Sequence, residues 1–320
     1  MDSSGDAARC VVQAGQVGAR PQICPMDHFL VLSSSAPNDV AATGQFFQQI
    51  YDRFNESFTR AGFAVHAPSD KLVCLCLDSY SQLDAYGRLA DETEVSWMDA
   101  YYSLRTNRVA VVRQGHPAAR PNPVQASVGG TKVAAFVDPG RDSSISPCGD
   151  LNRRTVTHEV AHLLAFNTGV QNRSATYPFW LTEGLATNFE AGPNGAFGLQ
   201  QQQDSCHRGR LIQAKASGRL VRLDRFAAMT AFTADSTTST IDAYAEAWGL
   251  FHFLLEKHGS ELRAYMADLG APRLIPLDGL AVSRRFVGEF GPTVALEAEF
   301  NRFIDGLSGG AGAGSRASVR

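Results

Sequence analysis

The segment His158-Glu159-Val160-Ala161-His162 sets two imidazoles four residues apart, with a carboxylate beside the first. On a helix, residues four apart stand one turn above one another, so both rings can reach a single ion. Imidazole suits zinc, and zinc with three protein ligands keeps a position open for water. Water held there ionises near neutral pH, and the ion also polarises a neighbouring carbonyl. Glu159 projects beside the rings and can take the proton. The chemistry on offer is hydrolysis. The same five residues also fit an ordinary amphipathic helix with surface His and Glu, so a third ligand has to decide between the two.

Two histidines hold zinc poorly. Downstream, residues 180–190 read W-L-T-E-G-L-A-T-N-F-E and supply Glu183 on a second helical stretch. Gly184 has no side chain and lets two helices approach closely. Glu190 lies seven residues further on, about two turns, and shares the face of Glu183. Glu183 is preferred as the ligand because Gly184 adjoins it.

HEVAH, followed after 20 residues by a glutamate within E-G-L-A, resembles the gluzincin metallopeptidases, and within them the peptidase-MA-like group. Residues 244–251 (Y-A-E-A-W-G-L-F) are similar to a later, tyrosine-bearing helix of that group. The likeness covers roughly residues 150–190 and 241–270. It implies an α+β, zincin-like fold, in which a small mixed sheet forms the upper wall of a cleft above the active-site helix. A C-terminal helical lobe forms the lower wall.

The likeness also assigns His158, His162 and Glu183 to one catalytic Zn2+ and Glu159 to general-base duty. The expected function is a zinc-dependent metallopeptidase acting on a peptide or protein substrate. Two other functions share these residues: a catalytically silent module that binds peptides or scaffolds an assembly, and hydrolysis of a non-peptide amide or ester. Many zincins bind an extended peptide along an edge strand, and residues 109–112 or 131–137 can supply that edge.

In one respect the chain departs from the family. Some gluzincins orient a zinc histidine with an acidic residue four positions after the third ligand, where this chain has Thr187. Support must then come from elsewhere. Glu190 is one candidate, and an exposed helix-end carboxylate is its other reading. Tyr244 is the candidate donor to a tetrahedral oxyanion. With Ala247, Trp248, Phe251, Leu254 and Leu255 it also follows a core-facing stripe, so both roles stay open. His207 can donate from a mobile loop or be an ordinary surface histidine. Trp180 is expected to pack the second helix onto the core.

The elements that must position these residues follow from periodicity. Residues 1–26 are Gly- and Ala-rich and read as a flexible arm. An α+β lobe is expected over 27–149. It holds strands at 28–34, 71–77 and 131–137, a helix over 39–62, and a hairpin from 101–104 and 109–112. Loops span 115–130 and 138–149. A helical lobe over 150–305 carries the HEVAH helix, with Asp150 as N-cap, and the EGLA helix. Its further helices fall at 243–257 and 292–304. Residues 200–203 are a short Gln run, and the Gly-, Ala- and Ser-rich tail 306–320 is expected to be disordered.

Composition narrows the function classes. The chain has 320 residues, 44% hydrophobic and 19% charged, with a formal net charge of −3. That is an ordinary globular balance with no basic stripe for nucleic acid. No apolar run is long enough to span a bilayer. The first 22 residues lack a signal-peptide core, which reads as cytoplasmic, or as secreted if the true start differs. Of six cysteines, Cys74 and Cys76 share one strand face as buried thiols. Cys10 with Cys24, or Cys148 with Cys206, can pair in an oxidising compartment.

Overall fold

Apolar runs in the first half become strands because they can be covered on both faces. The computed structural model describes residues 3–96, 98–113, 133–134, 153–192, 196–199, 205–231 and 240–309. The expected N-cap Asp150, Cys148, both long loops and the Gln run lie outside those residues, as does the tail beyond 309. The architecture is α+β. The chain forms two compact units: residues 1–173 with 189–201, and residues 174–188 with 202–320. The helix bearing HEVAH therefore counts with the sheet, rather than with a helical lobe over 150–305.

In the first unit the strands are β1 (Gln22–Pro25), β2 (Phe29–Ser33), β3 (Leu72–Leu77), β4 (Ala100–Ser103), β5 (Arg108–Val112) and β6 (Val133–Ala134). The sheet order is β1-β2-β3-β5-β4-β6. β3 runs parallel to β2 and to β5, while β1–β2, β4–β5 and β4–β6 are antiparallel. β2, β3 and β5 are buried at every residue, as parallel strands covered by helices should be. β5 has a partner on both sides, so 109–112 is not a sheet edge. β6 stands at the end of the order, described for two residues of the expected 131–137.

Alternation sends Leu30, Leu32, Val73, Leu75 and Leu77 to one face. There they meet Ala7, Cys10 and Ala14 of α1 (Ser3–Gln16) and Leu83 and Tyr86 of α3 (Tyr80–Tyr86). The N-terminal arm is thus a packed helix followed by a strand, not a flexible segment. Its buried stripe is built from small residues, which a search for large apolar periodicity passes over. Arg108 ties it down, with Nη2 donating to the Asp6 carbonyl at 3.0 Å and Nη1 to Gln13 at 2.8 Å.

α2 (Pro37–Arg60) packs on β1 and β2, and Phe47 meets Phe29 at 5.7 Å between ring centroids. α4 (Arg153–Ala165) packs on β4, β5 and α2. Cys74 and Cys76 are buried thiols, as expected, and Cys10 and Cys24 form no disulfide.

The second unit is helical: α5 (Phe179–Phe189, through Asn188), α6 (Ser205–Ala216), α7 (Leu223–Ala228), α8 (Thr240–Lys257), α9 (Gly259–Gly270), α10 (Gly279–Phe290) and α11 (Thr293–Gly309). Here α8 packs against α6, α9 and α11. Trp180 is fully buried, stacked on Tyr265 of α9 and edge-on to Phe286 of α10. Among the described residues no helix is long and apolar enough to cross a membrane.

Candidate metal centre

Helix α4 carries both histidines, and every residue from Thr155 to Ala165 is buried. A helix enclosed on all sides cannot leave His and Glu as solvated surface groups, so the ordinary-surface reading of HEVAH fails. Burying three such groups is costly unless each has a partner or an ion. His158 Nε2 and His162 Nε2 lie 3.1 Å apart. Two nitrogens bound tetrahedrally to one zinc, each about 2.0–2.1 Å from it, stand roughly 3.3 Å from one another. The pair is therefore nearly at ligand spacing.

Glu183 completes the group. One ligand atom from each of His158, His162 and Glu183 falls within 4.8 Å of the others, and all three residues are buried. Two neutral imidazoles and a carboxylate are a donor set suited to zinc. Among the described residues no other group of three or more His, Cys, Asp or Glu meets this test.

The histidine orientation has a visible cause. His158 Nδ1 lies 2.7 Å from Glu190 Oε1, and both side chains are fully buried. A carboxylate only accepts, so Nδ1 is the donor, and in the neutral ring the Nε2 lone pair is then left for an ion. Arg154 Nε donates to the second oxygen of Glu190 at 2.6 Å. The backbone N–H of Ala191 donates to Thr157 Oγ1 at 2.8 Å, which fixes the chain just after Glu190. Of the two readings of Glu190, the exposed helix-end carboxylate is therefore set aside. The Thr187 hydroxyl is turned back onto its own helix, donating to the Glu183 carbonyl at 2.7 Å.

Glu159 is held from the sheet. Its Oε2 accepts the backbone N–H of Tyr102, in β4, at 2.7 Å. The Tyr102 ring stacks over His162 and Phe166, at 6.3 and 5.8 Å between centroids. One residue of β4 thus fixes the carboxylate through its backbone and packs the second histidine through its ring.

Gly184 does what its sequence neighbourhood requires. A Cβ there would strike the Ala247 carbonyl oxygen and lie 2.7 Å from the Phe251 Cβ, both in α8. Asn188 fastens the same crossing, donating to the Gly184 and Trp248 carbonyls at 2.7 and 2.8 Å. Tyr244, also on α8, is buried and edge-on to Phe179, four residues before Glu183. His207 is neither on a loop nor on the surface. It is buried on α6 with its ring stacked toward Trp248, because α6 is helical through Ser205-Cys206-His207-Arg208.

Arg154 and the Tyr102 backbone are the contributions that sequence reasoning missed. Arg154, His158 and His162 are spaced by four, which puts Arg154 on the ligand face of α4. That signal was available. The Tyr102 contact had none, since it comes from a backbone amide.

These features define an α+β protein with a buried His–His–Glu group able to hold a metal ion. Residues 152–278 are similar to a family described as a protein of unknown function (DUF1570). The matched span contains the histidines, Glu159, Glu183, Glu190 and Tyr244. No curated protein matches the chain.

Proposed function

We propose that this protein is a zinc-dependent metallopeptidase of gluzincin type, with His158, His162 and Glu183 as metal ligands and Glu159 as general base. The observation that carries the reading is the buried convergence of the two histidines and Glu183. Zinc bound there supplies Lewis acidity toward a scissile carbonyl and lowers the pKa of water. The chain's own residues do the rest. His158 is oriented by Glu190 so that its Nε2 faces inward. Glu159, next in sequence to a ligand and held through Oε2 by the Tyr102 N–H, takes the proton of the attacking water and passes it to the leaving amine.

Tyr244 is the candidate for oxyanion stabilisation from its place on α8, and its buried, edge-on contact with Phe179 fits a packing role equally. The substrate is a peptide or protein. The sequence likeness of HEVAH and EGLA to gluzincins supports this class over a non-peptide amide, and the full set of ligands and base supports an enzyme over a silent module.

The test is hydrolysis of a broad peptide library by the full chain, before and after chelation and after zinc is restored. Activity should vanish with chelator and return with zinc. Glu159→Gln should bind zinc at the parental stoichiometry and lose nearly all turnover, because proton transfer is lost. Turnover that survives both chelation and Glu159→Gln would refute the mechanism.

A further inference from the structure

The histidine pair is not supported by a lone carboxylate. Both oxygens of Glu190 are engaged: Oε1 meets His158 Nδ1 at 2.7 Å, and Oε2 takes the Arg154 Nε–H at 2.6 Å. Arg154 is nearly buried, its side chain 11% exposed, and Glu190 is fully buried. Both lie in the first unit, on segments joined again by the Ala191 N–H to Thr157 Oγ1 bond. Thr157 in turn donates to the carbonyls of Arg153 and Arg154 at 2.8 and 2.9 Å. The first turn of α4 and the chain after α5 are thus closed into one clasp.

We infer that Arg154 is a positioning residue, which through Glu190 locks His158 as the Nδ1–H tautomer and sets the affinity of the His158–His162–Glu183 group for zinc. This rests on the proposed metal function.

The physical argument has three parts. A buried carboxylate needs a countercharge, and Arg154 supplies one that stays protonated at every working pH. A charge-assisted bond to an ionised carboxylate is stronger than one to a neutral acid. Holding one oxygen of Glu190 on Arg154 also leaves the other facing Nδ1, so the imidazole plane is set from outside. The hydroxyl of Thr187, at the position where some gluzincins place the orienting acid, donates to the Glu183 and Gly184 carbonyls of its own helix. The support therefore reaches His158 from a carboxylate seven residues beyond Glu183, completed by an arginine on the histidines' own helix.

The test measures zinc affinity by competition with a chromophoric chelator, and the His158 tautomer by NMR of isotope-labelled histidine in the metal-free full chain. Glu190→Gln should weaken zinc by about 10–100-fold, and Arg154→Gln by about 10-fold. The double variant should be no weaker than Glu190→Gln alone, since Arg154 acts through Glu190. Arg154→Lys, which keeps the charge without the planar fork, should recover part of the loss and fold normally. In Arg154→Gln the Nδ1–H signature of His158 should give way to a mixture. A purely structural arginine would lower thermal stability while leaving tautomer and affinity unchanged, and that result would overturn the inference. If the parental chain bound no zinc, the metal reading would fall. The tautomer measurement would still decide whether Arg154 and Glu190 orient His158.

Discussion

Glu246 on α8 is buried, and its Oε2 accepts the Val221 N–H at 3.0 Å. Burial pushes its pKa from 4.5 up to about 8, with Glu297 and Asp242 adding repulsion and the Val221 N–H opposing them. The folded protein therefore keeps a proton at neutral pH that the unfolded chain has released. With more protons bound when folded, this group's contribution is most favourable below the unfolded pKa of 4.5. It declines as pH rises to about 8, and is flat above. At about 1.4 kcal/mol per pH unit, the loss is on the order of 5 kcal/mol over the whole window and roughly 3 kcal/mol between about pH 6 and pH 9.

Glu246→Gln removes the titration and keeps an acceptor for Val221. Urea unfolding of both proteins across that range isolates the term, because titrating groups that do not interact with Glu246 cancel in the difference. The variant should gain on the parent by about 3 kcal/mol between the two ends. Parallel stability curves, or a parent that gains on the variant as pH rises, would refute the reasoning.

Glu183→Ala should lose zinc after dialysis against a weak chelator and lose activity with it, because a catalytic site needs its third ligand. Zinc retained at full stoichiometry would place that ligand elsewhere. Gly184→Ala should destabilise the fold by on the order of 2–3 kcal/mol in a thermal or urea melt, since the new Cβ meets the Ala247 carbonyl and the Phe251 Cβ. A neutral effect would mean that α5 and α8 separate easily. Tyr244→Phe should lower kcat by roughly 10²-fold with little change in melting temperature if the hydroxyl stabilises an oxyanion. An unchanged kcat would leave it a packing residue beside Phe179.

Much of the candidate site was legible in the residues alone, because the information is local. Spacing by four on a helix is enough to bring His158 and His162 to one ion, and Gly184 beside Glu183 announces a close crossing before α8 is known to supply it. The longer elements were legible for the same reason, since the aromatic stripe of α2 and the apolar run of β3 carry their periods openly. What required the tertiary structure was each property set by a partner distant in sequence. The N-terminal arm becomes a helix only because small residues at 7, 10 and 14 fit against the sheet and Arg108 reaches back to Asp6 and Gln13. Residues 109–112 lose their claim to the edge because strand order is a matter of pairing, which no single strand encodes. Glu190 could be read equally as exposed or as orienting until its two oxygens were seen on Arg154 and His158. His207 is buried because α6 turns that face toward Trp248. Sequence sets which face of a helix or strand a side chain occupies; only the fold sets what that face meets.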